Sequence, residues 1–175
     1  MHKIFMTLLF GILLSQSSVA KNNSVVDNAI KSSFTRVNSI EPKNIILTNK
    51  QFSQVKSRAK TAVKTKIYRY YDIKNKTKRL GYAILISRVM RTKKATVLYA
   101  FDTSGTLRFT EILAFGEPPE YIPNKTWMGQ LQNRDAATIL TIGKDMPTIS
   151  GSTLSARAIT QSARVARAIY EIVLK

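Results

Sequence analysis

Hydroxyl groups and small residues gather at one point of the chain. From Pro147 the sequence runs Thr148-Ile149-Ser150-Gly151-Ser152-Thr153-Leu154-Ser155-Ala156-Arg157-Ala158-Ile159-Thr160. Read physically, this is a short polar turn opening directly into a helix. The first N–H groups of a helix lack intrahelical acceptors, and the helix dipole is positive at that end. Together they make such a turn a site for a phosphate group. Gly151 lets the backbone come close to an anion, and Arg157, one turn into the helix, adds a charge-assisted contact. An ordinary Ser/Thr N-cap uses the same residue types, so the residues alone leave both readings open.

Other chemistry is narrowed by what is missing. The chain has no cysteine, and its one histidine is His2, in the apolar N-terminal segment. Beyond that segment, haem attachment through thiols, thiolate metal sites, most zinc sites and the Ser-His-Asp and Cys-His arrangements are excluded. The ten Asp and Glu residues are scattered and suggest no metal site. Redox or transfer chemistry here therefore requires an organic cofactor. Glu117 and Glu120 invite comparison with glycosidases, which hold two carboxyl groups about 5–9.5 Å apart. Three residues of separation in a Pro-rich loop do not set that geometry, and no sugar-binding aromatic cluster is nearby. Tyr121 and Trp127 could flank a flat ring, though a tryptophan that anchors a helix in the core fits equally well. Tyr68, Tyr70, Tyr71 and Tyr82 read as sheet packing.

The Ser150-Gly151-Ser152-Thr153 turn and its helix resemble the flavinylation motif of the FMN-binding domain family. That family includes the C subunit of the sodium-translocating NADH:quinone reductase and the G subunit of the Rnf complex. Its pattern is an Asp, two residues, then Ser-Gly-Ala-Thr leading into a helix with further Ser, Thr and Ala. The loop Phe115-Gly116-Glu117-Pro118-Pro119-Glu120-Tyr121 resembles the family's Glu-Pro loop, and Gly81-Tyr82 to Asp102-Thr103-Ser104-Gly105 its Gly-Tyr to Asp-x-x-Gly stretch. The similarity covers Leu80 to Ile172. It implies FMN as cofactor, held by Ser150, Gly151, Ser152, Thr153, Leu154 and Arg157, with Pro118 and Tyr121 near the ring; the position of Glu117 suits either accepting loop hydrogen bonds or contacting the ring edge. It also implies a flavin transferase that joins the FMN phosphate to Thr153 as a phosphodiester, and redox partner proteins, membrane-bound ones among the candidates. Two positions depart from the pattern. Ser152 stands for Ala, and Pro147 stands for the Asp, the nearest acid being Asp145. FMN binding and covalent attachment are therefore two separate expectations.

These residues need a scaffold, and hydrophobic periodicity supplies one. Thr48 or Asn49 caps a helix reaching about Lys60, with Phe52, Val55 and Ala59 on one face. Four stretches (64–73, 80–90, 95–101 and 106–115) read as strands joined by short turns, hence as antiparallel neighbours. Asn124 caps a short helix containing Trp127, Met128 and Leu131. A loop from Gly143 to Ser152 leads to a helix from about Thr153 to Val173. Its expected buried stripe is Leu154, Ala158, Val165, Ile169 and Val173, with Arg157, Arg164 and Arg167 on the surface. The expected fold is α+β: an antiparallel sheet packed against helices, with a long C-terminal helix following the flavin-attachment turn.

The N-terminus reads as an address. Lys3, the apolar run Ile4 to Leu14, and Ser18-Val19-Ala20 have the layout of a secretory signal peptide over residues 1–20. That run is about half of the roughly 20 residues that cross a bilayer as a helix; an uncleaved anchor is the alternative. Residues 21–47 read as a polar tether with one weak helix (Val25, Val26, Ala29, Ile30, Phe34), and 48–175 as the FMN-binding domain. The net charge of +18 favours anionic partners. Export points away from nucleic acid and towards the periplasm or the outer face of the cytoplasmic membrane, with peripheral contact to anionic lipid left open. The expected function is an extracytoplasmic electron carrier or flavin module rather than a stand-alone enzyme. Reductase activity on a small substrate stays open. The rival is a cofactor-free basic module that binds the envelope or membrane surface.

Overall fold

The structure, a computed structural model, describes residues 16–175, with side chains from Ser24 onward. The expected signal segment lies outside the described residues except for residues 16–20, which open the first helix. The elements are α1 (Gln16–Ser33), β1 (Ser39–Ile46), α2 (Asn49–Ala59), β2 (Ile67–Asn75), β3 (Lys78–Val89), β4 (Lys94–Asp102), β5 (Leu107–Phe115), α3 (Lys125–Gly129) and α4 (Thr153–Ile169). A π-helical turn, Tyr170–Leu174, extends α4. No helix among the described residues is long and apolar enough to cross a membrane.

The five strands form one antiparallel sheet in sequence order, β1-β2-β3-β4-β5. Short turns make the order β2-β3-β4-β5 the direct outcome of the sequence, whereas β1 is joined to β2 through α2. At the β4–β5 turn, Asp102 Oδ1 accepts the N–H groups of Ser104 and Thr106, and its carbonyl accepts Gly105 N–H. Strand alternation then sorts the side chains onto two faces. In β4, Val97, Tyr99 and Phe101 join the core under α2 and α4, whereas Leu98 and Ala100 face α1. Small residues, Ala156, Ala163 and Ala166, line the buried side of α4, and the Tyr99 hydroxyl donates to Ile159 O at 2.8 Å. The α+β expectation holds: an antiparallel sheet packs against helices, and a long helix closes the chain.

Residues 21–47 differ from the expected tether. Val26, Ile30 and Phe34 are buried against Tyr71, Ile73, Leu98 and Phe109, so α1 is one wall of a second core. β1 pairs with β2 from Ser39↔Lys74 to Ile46↔Ile67. Its sequence hid this because β1 is an edge strand carrying Pro42, with Ile45 its one buried residue. Beside it, Asp72 is 1% exposed and receives Arg79 Nε and Lys43 Nζ, each at 2.9 Å. Burial pushes the Asp72 carboxyl up, but the bonds from Arg79 and Lys43 outweigh it and bring its pKa down to about 2.

Helix α4 also corrects its predicted stripe. Ala158, Val165 and Ile169 are buried as expected, but Leu154 is 49% exposed and Val173 only partly buried. Arg167, expected on the surface, is 5% exposed. Its guanidinium reaches the Thr138 and Arg134 carbonyls, which a backbone loop brings over the helix.

Candidate functional site

The candidate turn stands at the amino end of α4. Gly151 has φ +79°, the left-handed conformation in which other residues are strained, and a Cβ built on it meets no atom within 4 Å. Ser152 occupies the N-cap position, is 4% exposed and makes no capping hydrogen bond with its side chain. Thr153, the first helical residue, is exposed, and its hydroxyl donates to Ile149 O at 2.6 Å. Ser150, Leu154 and Arg157 are exposed around it. Ser155, in the same turn, is fully buried, and its Oγ has no hydrogen-bond partner. The ordinary Ser/Thr N-cap, one of the two readings of these residues, is not formed. What the turn presents is a helix start without a side-chain cap, an accessible hydroxyl and open space over a glycine.

The loop after β5 makes a separate feature. Glu117 is 7% exposed, and its Oε1 accepts the backbone N–H groups of Arg91, Thr92 and Lys93. The Lys93 N–H, then that of Thr92, hold the carboxyl below its usual range against the opposing effect of burial. Glu117 thus ties the β3–β4 turn to the loop, the first of the two roles its position suggested. Arg91 stacks over Tyr121 at 3.9 Å from the ring centroid. Arg91, Lys93, Glu117, Pro118 and Tyr121 border an open groove of about 570 Å³, within the range of small-molecule sites.

The structure brings Ser150, Gly151, Ser152, Thr153, Leu154 and Arg157 together and leaves Glu117, Pro118 and Tyr121 in a different cluster. None of residues 150–157 lines the groove, and among the described residues no hydrogen bond or ring contact joins the two sets. One link runs between the regions: Trp127 Nε1 donates to Pro147 O at 2.8 Å, fixing the strand of chain before the turn to α3. Trp127 is 4% exposed and belongs to the core. Arg91 and Lys93 are groove residues that the sequence showed only as surface charge. Their signal was the basic cluster on the β3–β4 turn, which nothing in sequence linked to Glu117.

Tested against FMN, the helix start fits the phosphate end of the cofactor. Uncapped N–H groups, Gly151 and Arg157 suit an anion, and the Thr153 hydroxyl is exposed for a bond to it. The groove is open enough for a flat ring but stands apart from that turn. No group of three or more metal-ligating side chains occurs among the described residues. The chain matches no protein-family model and no curated protein.

Proposed function

We propose that the chain is an FMN-carrying electron-transfer protein, with the cofactor phosphate at the start of α4 and joined to Thr153. The observation that carries this reading is the helix start itself. A threonine hydroxyl stands exposed at the first position of a helix that no side chain caps, behind a glycine at positive φ. The motif resemblance suggests FMN as the anion, and the uncapped helix start supports a phosphate group there. FMN, when bound, supplies the electron chemistry.

The protein groups have simpler work. The first N–H groups of α4 and its dipole stabilise the phosphate charge, and the exposed Arg157 adds a counter-charge. The proton of the Thr153 hydroxyl is directed to Ile149 O, which leaves the oxygen lone pairs unengaged. Attachment would join Thr153 Oγ1 to the flavin phosphate in place of the hydroxyl proton, and a transferase acting on an activated flavin nucleotide would provide the base and release the nucleotide's leaving group. A covalent tether outside the cytoplasm removes the dependence on free-ligand concentration that limits reversible binding. The layout of residues 1–20 supports that location.

The test is intact mass of protein recovered from the periplasm of cells that also make a flavin transferase. The expected product is heavier by one FMN less one water, and Thr153→Ala removes the gain. A yellow protein of unmodified mass keeps FMN and rejects the bond, with Pro147 in the Asp position as the reason. A colourless, unmodified protein rejects the flavin altogether and leaves the basic binding module. Asp145→Asn in the same assay reports whether the nearest acid stands in for the missing Asp.

A further inference from the structure

Away from the flavin turn, between the end of α2 and the last turns of α4, four cations line one small cavity. They are Arg58, Lys60, Arg164 and Arg167, and the cavity measures about 40 Å³. Arg58 is engaged: it holds Glu171 with Nε at 2.6 Å and Nη2 at 3.0 Å. Asp135, the other carboxylate whose field reaches Arg167, is itself bound by the Thr138 N–H and hydroxyl, each at 2.8 Å. Among the described residues no carboxylate lies within ion-pair distance of Lys60, Arg164 or Arg167.

Arg167 is the informative member. It is 5% exposed, its two terminal nitrogens donate to backbone carbonyls, and its Nε has no acceptor. A buried charge is costly unless it is paired and hydrogen-bonded, and neutral carbonyls supply no opposite charge. Burial accordingly draws its pKa below the ordinary guanidinium range. The carbonyl end of α2 accounts for one cation, since Arg164 donates to Lys60 O at 2.8 Å and positive charge is favoured there. The remaining positive charge is in surplus. At about 10–15 Å³ per water-sized probe, the cavity admits a group the size of a small oxyanion.

We propose that this cavity binds a small oxyanion of phosphate or sulfate type, with Lys60, Arg164 and Arg167 as its cationic partners. Two sources share that chemistry: the free ion and the phosphate of a lipid headgroup. The site is independent of the flavin reading, and the two fail separately.

Calorimetric titration of the mature chain with inorganic phosphate, and with sulfate, at constant ionic strength reads the site. Saturable binding of one ion per chain is expected. Lys60→Gln and Arg164→Gln, both outside the core, each weaken it about tenfold, the loss of one charge-assisted hydrogen bond. Lys76→Gln, in the β2–β3 turn, leaves it unchanged. Absence of saturable binding overturns the proposal. So does binding that survives Arg164→Gln and is lost in Arg157→Gln, because the ion then sits at the start of α4. Sedimentation with phosphatidylglycerol vesicles separates the sources. Displacement by free phosphate at fixed ionic strength assigns the cavity to the headgroup, and phosphate binding without displacement assigns it to the free ion.

Discussion

Helices α2 and α4 begin in opposite ways. At α2, Thr48 Oγ1 accepts the Gln51 N–H at 3.2 Å and Gln51 Oε1 accepts the Thr48 N–H at 3.0 Å. The start is closed by its own side chains, a capping box. At α4, Ser150, Ser152, Thr153 and Ser155 surround the start and none caps it. Ser152 sits at φ −116° and ψ 25°, outside the extended conformation that Thr48 adopts as a cap. Thr153 turns its proton back to Ile149 O. A hydroxyl before a helix is thus a cap only when the backbone holds it in the right region. Where the backbone does not, the first-turn donors are left for another acceptor. The Asp72 cluster belongs with α2: Arg79, Lys43 and Lys74 converge on one buried carboxylate.

The contrast between a closed and an open polar site can be broken at several points. The largest effect is expected at Thr153, where replacement by Ala abolishes covalent flavin in the mass measurement while thermal stability changes little. Next comes Asp72→Asn, which leaves Arg79 without its carboxylate partner and Lys43 and Lys74 with Glu41 alone. About 2 kcal/mol of stability should be lost, less than the 3–5 kcal/mol of a fully buried pair because Arg79 and Lys43 are half exposed. Urea unfolding at neutral pH measures it. The same carboxylate sets an acid limb. Its pKa is about 2, below the ordinary 3.8, so its contribution is complete above the ordinary value and fades as pH falls through the folded one. The Asp72→Asn protein should lack that limb, and an unchanged limb would sink the assignment.

Smaller effects sharpen the comparison of the two helix starts. Thr48→Ala removes a working cap and should cost about 1 kcal/mol, read from the shift of a denaturant midpoint. Gly151→Ala places a Cβ in open space but at positive φ, and should cost about 1 kcal/mol through backbone strain alone. Ser152→Ala removes no capping bond and should change stability by only about 0.3 kcal/mol. Equal losses at Thr48 and Ser152 would mean that α4 is capped in solution after all.

Much of this molecule is written locally. The Asn124 and Thr48 caps, the Asp102 turn, the alternation within β4 and the helical stretch after Thr153 all follow from neighbours a few residues apart, and the structure repeats them. The place of the turn Ser150 to Thr153 was legible for the same reason, since a glycine turn opening into a helix depends on four consecutive residues. Other features had no local trace. β1 carries Pro42 and one buried residue, so only its pairing with β2 makes it a strand. Leu154 looked like core by spacing, yet it lies in the first turn of α4, at the end that leaves the protein surface open.

Taken by itself, then, the sequence determined the class of fold, the place of the polar turn and the absence of thiol or imidazole chemistry outside the N-terminal segment, because these depend on composition and short-range periodicity. Tertiary structure alone decided that Glu117 closes on the N–H groups of residues 91–93, and that Arg167 is buried under the chain at Thr138. It also decided that Ser152 does not cap α4. The physical reason is the same in each case. A polar group's partner is whatever the packed chain brings within hydrogen-bond distance, and that choice is made across tens of residues or by a backbone angle, neither of which residue type encodes.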